Sequence, residues 1–326
     1  MSEDPMQFQT GETRTPPPDD RLKGAVAPVH DPTMAKDHGV YYVFCTGPGI
    51  QVRSSKDGIT WEAPRRTLDP VPSWTATTIP GSREFYWAPD VTYFDHVWHL
   101  YYAVSTFGRN RSAIGLATNT TLDPADPHYH WVDQGPTVQS YRTDDYNAID
   151  PHIALDEHKI PWMTFGSFWS GIRLVRLDPH TGKPADPDTK PIAIATRPRT
   201  EGQPGAIEAP FIWRHGRYFY LFVSFDFCCR GVRSTYNIRV GRSRSIDGPY
   251  VDRDGVPMLN GGGTLVLQGD ARWKGPGHNC VIRDKGKDLL VYHAYDAEQN
   301  GVPKLRISTL AWDREGWPSV VKAPEK

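Results

Sequence analysis

The chain is poor in several features that define common classes of protein. It has only four cysteines in 326 residues, too few for a disulfide framework in a chain of this length. Its 37 basic and 38 acidic residues nearly cancel, which gives no electrostatic basis for binding nucleic acid or an anionic membrane. The apolar run of roughly 18 residues that a transmembrane helix needs is also absent. We therefore expect neither a nucleic-acid partner nor a membrane partner.

The N-terminal segment lacks the apolar core of a signal peptide. Residues 1–24 are polar and contain three consecutive prolines, so we expect them to be disordered or loosely attached. The folded part should then be a single domain over residues 25–326. Two alternatives for cellular location stay open: an export signal has been removed, or the protein remains inside the cell.

Glycine, proline and aromatic residues, by contrast, are abundant. The chain has 29 glycines and 30 prolines, aromatic residues reach 12%, and stretches rich in helix-forming residues are scarce. This composition is typical of many short strands joined by tight turns, and it predicts an all-β fold.

A pattern of about sixty residues recurs five times. The five segments begin at His30, Ala88, Ile149, Ile207 and Gly275. Each has a short apolar strand, a charged turn and a strongly aromatic strand, and a third strand follows in several of them. Four-stranded antiparallel units repeated around an axis form a β-propeller. The repeats therefore predict a five-bladed β-propeller with the active site in the axial pocket.

One place in each repeat carries an ionisable residue. The residues are, in chain order, Asp31, Asp90, Asp150, Glu208 and His278. A single Asp-Pro pair such as that at Asp31 is explained equally well as a turn opener. Since the first strand of every blade lies next to the propeller axis, we expect the five side chains to converge on one pocket.

Carboxylates that share one pocket repel each other, which raises the pKa of at least one of them. A protonated acid beside an ionised base is the pair that glycoside hydrolysis requires. The residues alone do not tell which carboxyl group is the acid and which is the base. A metal site is the alternative: His278 with acidic neighbours would suit a weakly held hard cation such as calcium, while no zinc motif is present.

Aromatic and polar residues near the expected mouth of the pocket suit a sugar, because aromatic faces stack on the C–H faces of sugar rings. Most aromatic residues must instead pack between blades. The predicted substrate-binding residues are His30, Trp87, Asp90, Phe107, Asn147 and Ser167.

Cys228 and Cys229 are adjacent in the sequence. They could close a small disulfide ring, but we expect two buried thiols.

Several motifs together resemble the endo-1,5-α-L-arabinanases of glycoside hydrolase family 43. The resemblance covers about residues 28 to 318, and the motifs occur in the order found in that family. They are HDP at 30–32, WAPD at 87–90, NAIDPHI at 147–153, GAIEAPFI at 205–212, STYNIRVGRS at 234–243 and GPGHN at 275–279.

The resemblance implies an enzyme that cleaves internal α-1,5 bonds of arabinan with inversion of configuration. It implies that Asp31 is the general base, Glu208 the general acid and Asp150 a residue that raises the pKa of the acid and orients it. His278 would lie near a calcium or sodium ion coordinated largely by water. Asp90 has no catalytic part in this pattern, so its role is structural or one of substrate contact.

The resemblance also implies an enzyme that is secreted or periplasmic and acts on the arabinan of plant pectin. We expect the protein to be a monomer. Within the same family the alternatives are an exo-acting arabinanase, an α-L-arabinofuranosidase or a β-xylosidase. The alternative from another class is a non-catalytic propeller that binds arabinan.

Overall fold

The structure is a computed structural model, and it describes residues 21–200 and 205–321. Most of the predicted N-terminal segment, residues 1–20, lies outside the described residues. Within these described ranges, the regular structure consists of twenty-three strands and one short α-helix, α1 (Trp74–Thr78), with three 3₁₀ turns at Gly231–Arg233, Met258–Asn260 and Ala297–Gln299. None of the described helices is long and apolar enough to cross a membrane.

The strands of the first half of the chain are β1 (Lys23–Gly24), β2 (Thr33–Asp37), β3 (Val40–Cys45), β4 (Gly47–Pro48), β5 (Gln51–Ser55), β6 (Thr60–Trp61), β7 (Arg65–Arg66), β8 (Phe85–Phe94), β9 (Val97–Val104), β10 (Ser112–Asn119), β11 (Val132–Ser140), β12 (His152–Leu155), β13 (Pro161–Phe165), β14 (Ile172–Arg176) and β15 (Ile192–Ala195). Those of the second half are β16 (Ile207–His215), β17 (Tyr218–Phe225), β18 (Asn237–Ser243), β19 (Thr264–Gln268), β20 (Trp273–Asp284), β21 (Lys287–Asp296), β22 (Val302–Trp312) and β23 (Pro318–Val320).

These strands form five antiparallel blades. The strand orders are β2-β3-β5-β7, β4-β8-β9-β10-β11, β12-β13-β14-β15, β16-β17-β18-β19 and β20-β21-β22-β23. The first strand of each blade contacts the first strands of both neighbours, so β2, β8, β12, β16 and β20 close a ring around the axis. The predicted five-bladed β-propeller is confirmed.

Hydrophobic side chains fill the space between neighbouring blades. Tyr42 and Phe44 of the first blade share a cluster with Leu100 and Tyr102 of the second. Similar clusters join the second blade to the third, the third to the fourth, and the fourth to the fifth and first. Most of the many aromatic residues pack there, where a branched or aromatic side chain on a pleated surface buries the most apolar area.

The N-terminal stretch closes the ring between the last blade and the first. β1 pairs in parallel with β6, a short strand in the connection between β5 and β7 of the first blade. The backbone N–H of Val29 donates to the carbonyl oxygen of Pro303 in the last blade. Residues 21–24 are therefore part of the propeller, although the sequence predicted that the loosely attached segment extends to residue 24.

Arg53 holds this closing stretch from inside. Its side chain is 1% exposed, and its guanidinium donates to the carbonyl oxygens of Ala25 at 2.8 Å and Pro28 at 2.7 Å. A third contact, at 3.0 Å, is to the sulfur of Cys45. One buried cation thus satisfies backbone acceptors that no strand partner reaches.

Replacing Arg53 with Met should destabilise the fold. The aliphatic volume is kept, but the carbonyl oxygens of Ala25 and Pro28 lose their donors, and we expect a loss of roughly 3 kcal/mol in the free energy of unfolding. Urea unfolding followed by tryptophan fluorescence measures it. Arg142→Met, at an exposed position, is the control and should change stability by less than about 0.5 kcal/mol. Equal stability of the two variants would show that Arg53 does not hold the closure.

Candidate active site

A backbone kink at the same place in every blade begins the candidate site. The residue there has a left-handed conformation, with φ of 53° at Asp31, 44° at Ala88, 58° at Asp150, 53° at Ala209 and 48° at His278. Non-glycine residues rarely adopt positive φ, and such strain concentrates at functional sites. Asp31, Asp150 and His278 are thus true repeat equivalents.

The predicted equivalence was wrong for Asp90 and Glu208. Asp90 lies two residues beyond the kink of its blade, and Glu208 lies one residue before the kink of its own. A β-bulge at the kink is common to β8, β16 and β20, the last of which carries His278, so the bulge itself does not cause the offset. In β8 and β16 the ionisable residue occupies a different place relative to the kink, and the spacing of polar residues does not reveal where the kink falls.

Asp31 is surrounded by hydrogen-bond donors. One carboxylate oxygen lies 2.8 Å from Nδ1 of His30 and 3.1 Å from Nδ1 of His278, and the other accepts from the hydroxyl of Thr46 at 2.5 Å. Burial by itself would raise the pKa of Asp31, but His30 and His278 outweigh it and hold the pKa well below its ordinary value. Asp31 is therefore ionised at neutral pH.

His278 is the positive counterpart of this carboxylate. Burial opposes its charge, yet the negative charges of Asp31, Asp150 and Glu208 raise the pKa of His278 to about 9. Its backbone N–H is fixed by the hydroxyl of Ser224 at 2.9 Å.

Glu208 has the opposite electrostatic character from Asp31. Burial raises its pKa to about 8, and the negative charge of Asp150 acts in the same direction. The hydroxyls of Ser167, at 2.5 Å, and Tyr236 donate to its two oxygens. At neutral pH Glu208 therefore carries a proton while Asp31 does not.

The pKa of Asp150 lies between those of Asp31 and Glu208. Burial raises its pKa to about 6, while the positive charge of His278 lowers it and Asp31 raises it further. It accepts a hydrogen bond at 3.1 Å from the backbone N–H of Ala209, the residue that follows Glu208. Because burial and the charge of Asp150 raise the pKa of Glu208, the arrangement keeps a proton on Glu208.

The carboxylate of Asp90 joins three blades. It contacts the hydroxyl of Thr33 at 3.4 Å, Nδ1 of His152 at 3.1 Å and the backbone N–H of Ile153 at 3.0 Å. Asp90 is 4% exposed and lines an axial cavity together with Thr33, His152, Phe211 and Cys280, its true repeat equivalents. Of the two roles expected for Asp90, these contacts favour the structural one.

The other predicted substrate-binding residues lie at different depths. His30 contacts Asp31, and Ser167 contacts Glu208, so both adjoin the carboxyl groups. Asn147 is 3% exposed and accepts from the hydroxyl of Ser112 at 2.7 Å. Trp87 is partly buried at the start of β8. Phe107 is 85% exposed in the loop between β9 and β10, on the face where the first strands begin.

Several residues of the site were missed by the sequence reasoning. Tyr236 lies in a quoted motif, yet its contact with Glu208 was not foreseen. Thr46 and the residues of β21 that back His30, namely His293 and Tyr295, were also missed. The alternation of His293 and Tyr295 on one face of a second strand beside GPGHN was the available signal.

The two adjacent cysteines form a disulfide, so the expectation of two buried thiols was wrong. Cys228 and Cys229 are bonded to each other, and Cys229 is exposed near the carboxyl groups. The free thiols of the chain, Cys45 and Cys280, are buried. The physical reason is position: the pair follows β17 in a loop at the mouth of the pocket, where side chains reach solvent.

Candidate metal ligands centre on His30 within the described residues. His30 forms one group with Asp31 and His293 and another with the two disulfide-bonded cysteines. His278 belongs to neither group. Its Nδ1 is taken by Asp31, and with a pKa of about 9 the ring keeps its second proton at neutral pH. An ion could therefore bind at Nε2 only in place of that proton, with its remaining ligands supplied by water.

The pocket at the hub of the five blades holds one protonated and one ionised carboxyl group, Glu208 and Asp31. This is the pair of groups that glycoside hydrolysis requires. Residues 26–318 match the model of glycosyl hydrolases family 43. The chain belongs to this family. The predicted recognition of family 43 and of a glycoside hydrolase is confirmed.

Two relatives of this family 43 chain are named as exo-acting and endo-acting, respectively. This chain is 46% identical to the extracellular exo-α-(1→5)-L-arabinofuranosidase of Cellvibrio japonicus, with 90% of this chain and 86% of that protein covered. It is 44% identical to the extracellular endo-α-(1→5)-L-arabinanase 1 of Bacillus subtilis, with 89% and 87% covered. A solved structure of a Cellvibrio cellulosa α-L-arabinanase complexed with arabinohexaose is also similar, with a TM-score of 0.86 and 44% identity over 91% of this chain and 96% of that one.

The difference in pKa among the carboxyl groups leads to a prediction about the titration of Glu208. In Asp150→Asn the loss of a negative charge should lower the pKa of Glu208 below about 8, although burial keeps it above the ordinary value. Carbon-13 NMR of glutamate-labelled protein follows the titration, and the signal that disappears in Glu208→Gln identifies the residue. An unchanged titration in Asp150→Asn would contradict the assigned cause of the shift.

Proposed function

We propose that the protein hydrolyses internal α-1,5-L-arabinofuranosyl bonds of arabinan by an inverting general acid/base mechanism. The observation that carries the proposal is the opposite protonation of Asp31 and Glu208 in one buried pocket. The arabinan-acting relatives supply the substrate class.

Asp31 is the general base in this proposal. Its ionised carboxylate accepts a proton from a water molecule, and that water attacks the anomeric carbon from the side opposite the departing chain. The contacts with Thr46 and with the two histidines hold the carboxylate of Asp31 in one orientation. A positioned base of this kind contributes roughly 10²–10⁴-fold to the rate.

Glu208 is the general acid. Its proton passes to the glycosidic oxygen as the bond to the anomeric carbon breaks, which spares the leaving group a negative charge. Asp150 keeps Glu208 protonated by its charge and, through the N–H of Ala209, fixes the backbone next to the acid. Both oxygens of Glu208 have hydroxyl partners, which orient the carboxyl group.

The endo mode is the preferred one within the family. Endo-acting names recur among the relatives, although the first relative described above is exo-acting. The alternatives of an exo-arabinanase, an α-L-arabinofuranosidase or a β-xylosidase use the same carboxyl groups and differ in the subsites around them. A non-catalytic arabinan-binding propeller has no need of two carboxyl groups in opposite protonation states.

His30, Trp87, Phe107 and Asn147 remain proposed substrate contacts. Phe107 is the clearest candidate, because a ring that is 85% exposed at the mouth has apolar area available for a sugar face. Arabinan and arabino-oligosaccharides are the proposed partners, and we propose that the enzyme acts as a monomer on the arabinan of pectin.

We further propose a calcium or sodium ion at Nε2 of His278, coordinated largely by water. When bound, the ion supplies positive charge to the pocket. His278 then contributes one nitrogen ligand and keeps its Nδ1 on Asp31. Secretion is also proposed: two relatives are named extracellular, and a disulfide persists in an oxidising compartment.

Replacing Glu208 with Gln should abolish most of the hydrolysis. The amide keeps the shape of the side chain but has no proton for the leaving oxygen, and we expect the release of reducing ends from linear arabinan to fall by about 10³-fold. Glu157→Gln, at an exposed position, is the matched control and should retain full activity. Equal background release by wild type and Glu208→Gln would instead support the binding propeller.

The distribution of products over time tests the endo mode. Internal cutting of linear arabinan should give a spread of oligosaccharides early in the reaction, which chromatography of the digest resolves. A single monosaccharide or short oligosaccharide from the first minutes onward would assign the exo mode.

Removal of the proposed ion should lower activity and leave the fold intact. We expect dialysis against a chelator in sodium-free buffer, which removes both calcium and sodium, to reduce kcat because the pocket loses positive charge near Asp31, while the Tm changes little. Adding back calcium or sodium salts separately identifies the ion. Unchanged activity would rule out the ion, and cooperative unfolding would make it a structural clamp.

A further inference from the structure

The Cys228–Cys229 disulfide lies next to the partner of the proposed base. It occupies the loop between β17 and β18, where Cys228 is half-buried and Cys229 is exposed. The sulfur of Cys229 is 3.8 Å from Nε2 of His30. None of the roles proposed so far uses this disulfide.

A chain of hydrogen bonds runs from Cys229 to Asp31. The backbone N–H of Cys229 donates to the phenol oxygen of Tyr295 at 2.7 Å, and that oxygen is 2.7 Å from Nε2 of His30. Burial raises the pKa of Tyr295, so the phenol keeps its proton. We assign the phenol proton to the hydrogen bond with Nε2, an arrangement in which the Nδ1–H of His30 donates to Asp31 at 2.8 Å.

The ring of His30 is held from a second side. His293 stacks on it with 4.0 Å between ring centroids, and Tyr295 lies edge-on to His293 at 5.3 Å. Stacking confines the plane of the His30 ring but does not choose which nitrogen carries the proton. The hydrogen bond from Tyr295 makes that choice.

The disulfide in turn holds the backbone N–H of Cys229, which donates to the phenol oxygen of Tyr295. Cys229 has φ of 64°, a conformation that a non-glycine residue leaves when nothing holds it. The bond between the two adjacent side chains closes a small ring that includes the peptide N–H of Cys229. Opening the ring frees this peptide to turn away from Tyr295.

We propose that the Cys228–Cys229 disulfide and Tyr295 are positioning residues for the reaction: they set the tautomer and orientation of His30, and through it the geometry of Asp31. The inference rests on the proposed function, because it needs Asp31 to be the base. It makes the rate sensitive to dithiols. A dithiol gives two electrons and two protons to the bond between the sulfur atoms, two cysteine thiols form, and the reagent becomes a cyclic disulfide.

The test measures kcat and KM on a linear arabino-oligosaccharide for oxidised and dithiothreitol-treated enzyme. Treatment should lower kcat about tenfold, a size typical of a small displacement of a catalytic group, and change KM less than about twofold. Tyr295→Phe and Cys228→Ser/Cys229→Ser should show the same split between kcat and KM. Reoxidation of the treated wild type should restore kcat.

The decisive arm treats Tyr295→Phe with dithiothreitol. If the disulfide acts through the phenol, its reduction should cost this variant no further activity, as in a double-mutant cycle of two coupled groups. Tyr93→Phe, at an exposed position on β8, is the control and should respond to treatment like wild type. Thiol titration checks that two new thiols appear.

Three results would overturn the inference: kcat of wild type unaffected by reduction, an equal further loss in treated Tyr295→Phe, or a change confined to KM. If the double serine variant does not fold, the reduction arms decide alone. Failure of the proposed function is distinguishable, because oxidised wild type would then hydrolyse no more than Glu208→Gln.

Discussion

The mutual repulsion of buried carboxylates is the constraint on which the structure of this site depends. Asp31, Asp150 and Glu208 are buried and cannot all be ionised together, so their environments divide the protons among them. Asp31 keeps its charge because two histidines and a hydroxyl surround it. Glu208 keeps its proton because burial and the negative charge of Asp150 raise its pKa more than the Ser167 hydroxyl and His278 lower it. Acid and base thus differ by surroundings and not by residue type.

The propeller brings residues that are far apart in the sequence close enough to change one another's pKa. Five first strands close around the axis, and each turns through a residue with positive φ at the mouth. Kinks at three of these positions carry Asp31, Asp150 and His278. Glu208 lies one residue before the kink of its own blade, beside Ser167 of the third blade. Further along the axis, Asp90 joins the blades, so the same hub that holds the pocket also holds the fold.

The parts that repeat could be predicted from the sequence, and the parts that depend on register could not. Composition and the five similar segments gave the blades, and the shared polar position identified Asp31, Asp150, Glu208 and His278 as candidates. The offset of Asp90 and Glu208 escaped, because the position of the kink in each repeat is a matter of backbone conformation that spacing alone does not reveal. Tyr236, His293 and Tyr295 come from second and third strands, whose facing is fixed only when that pairing is known. The disulfide between Cys228 and Cys229 was not foreseen because the sequence does not show that their loop lies at the solvent-exposed mouth of the pocket.

The stereochemistry of the first product tests the central claim most directly. If Glu208 supplies the proton while ionised Asp31 activates water on the opposite face of the sugar, an α-linked arabinan must release the β-anomer first. Proton NMR during the first minutes of hydrolysis, before mutarotation mixes the anomers, distinguishes the two. We expect the β signal to rise ahead of the α signal. An α-anomer that forms first would mean that a carboxylate attacks the sugar itself, which contradicts the roles given to Asp31 and Glu208.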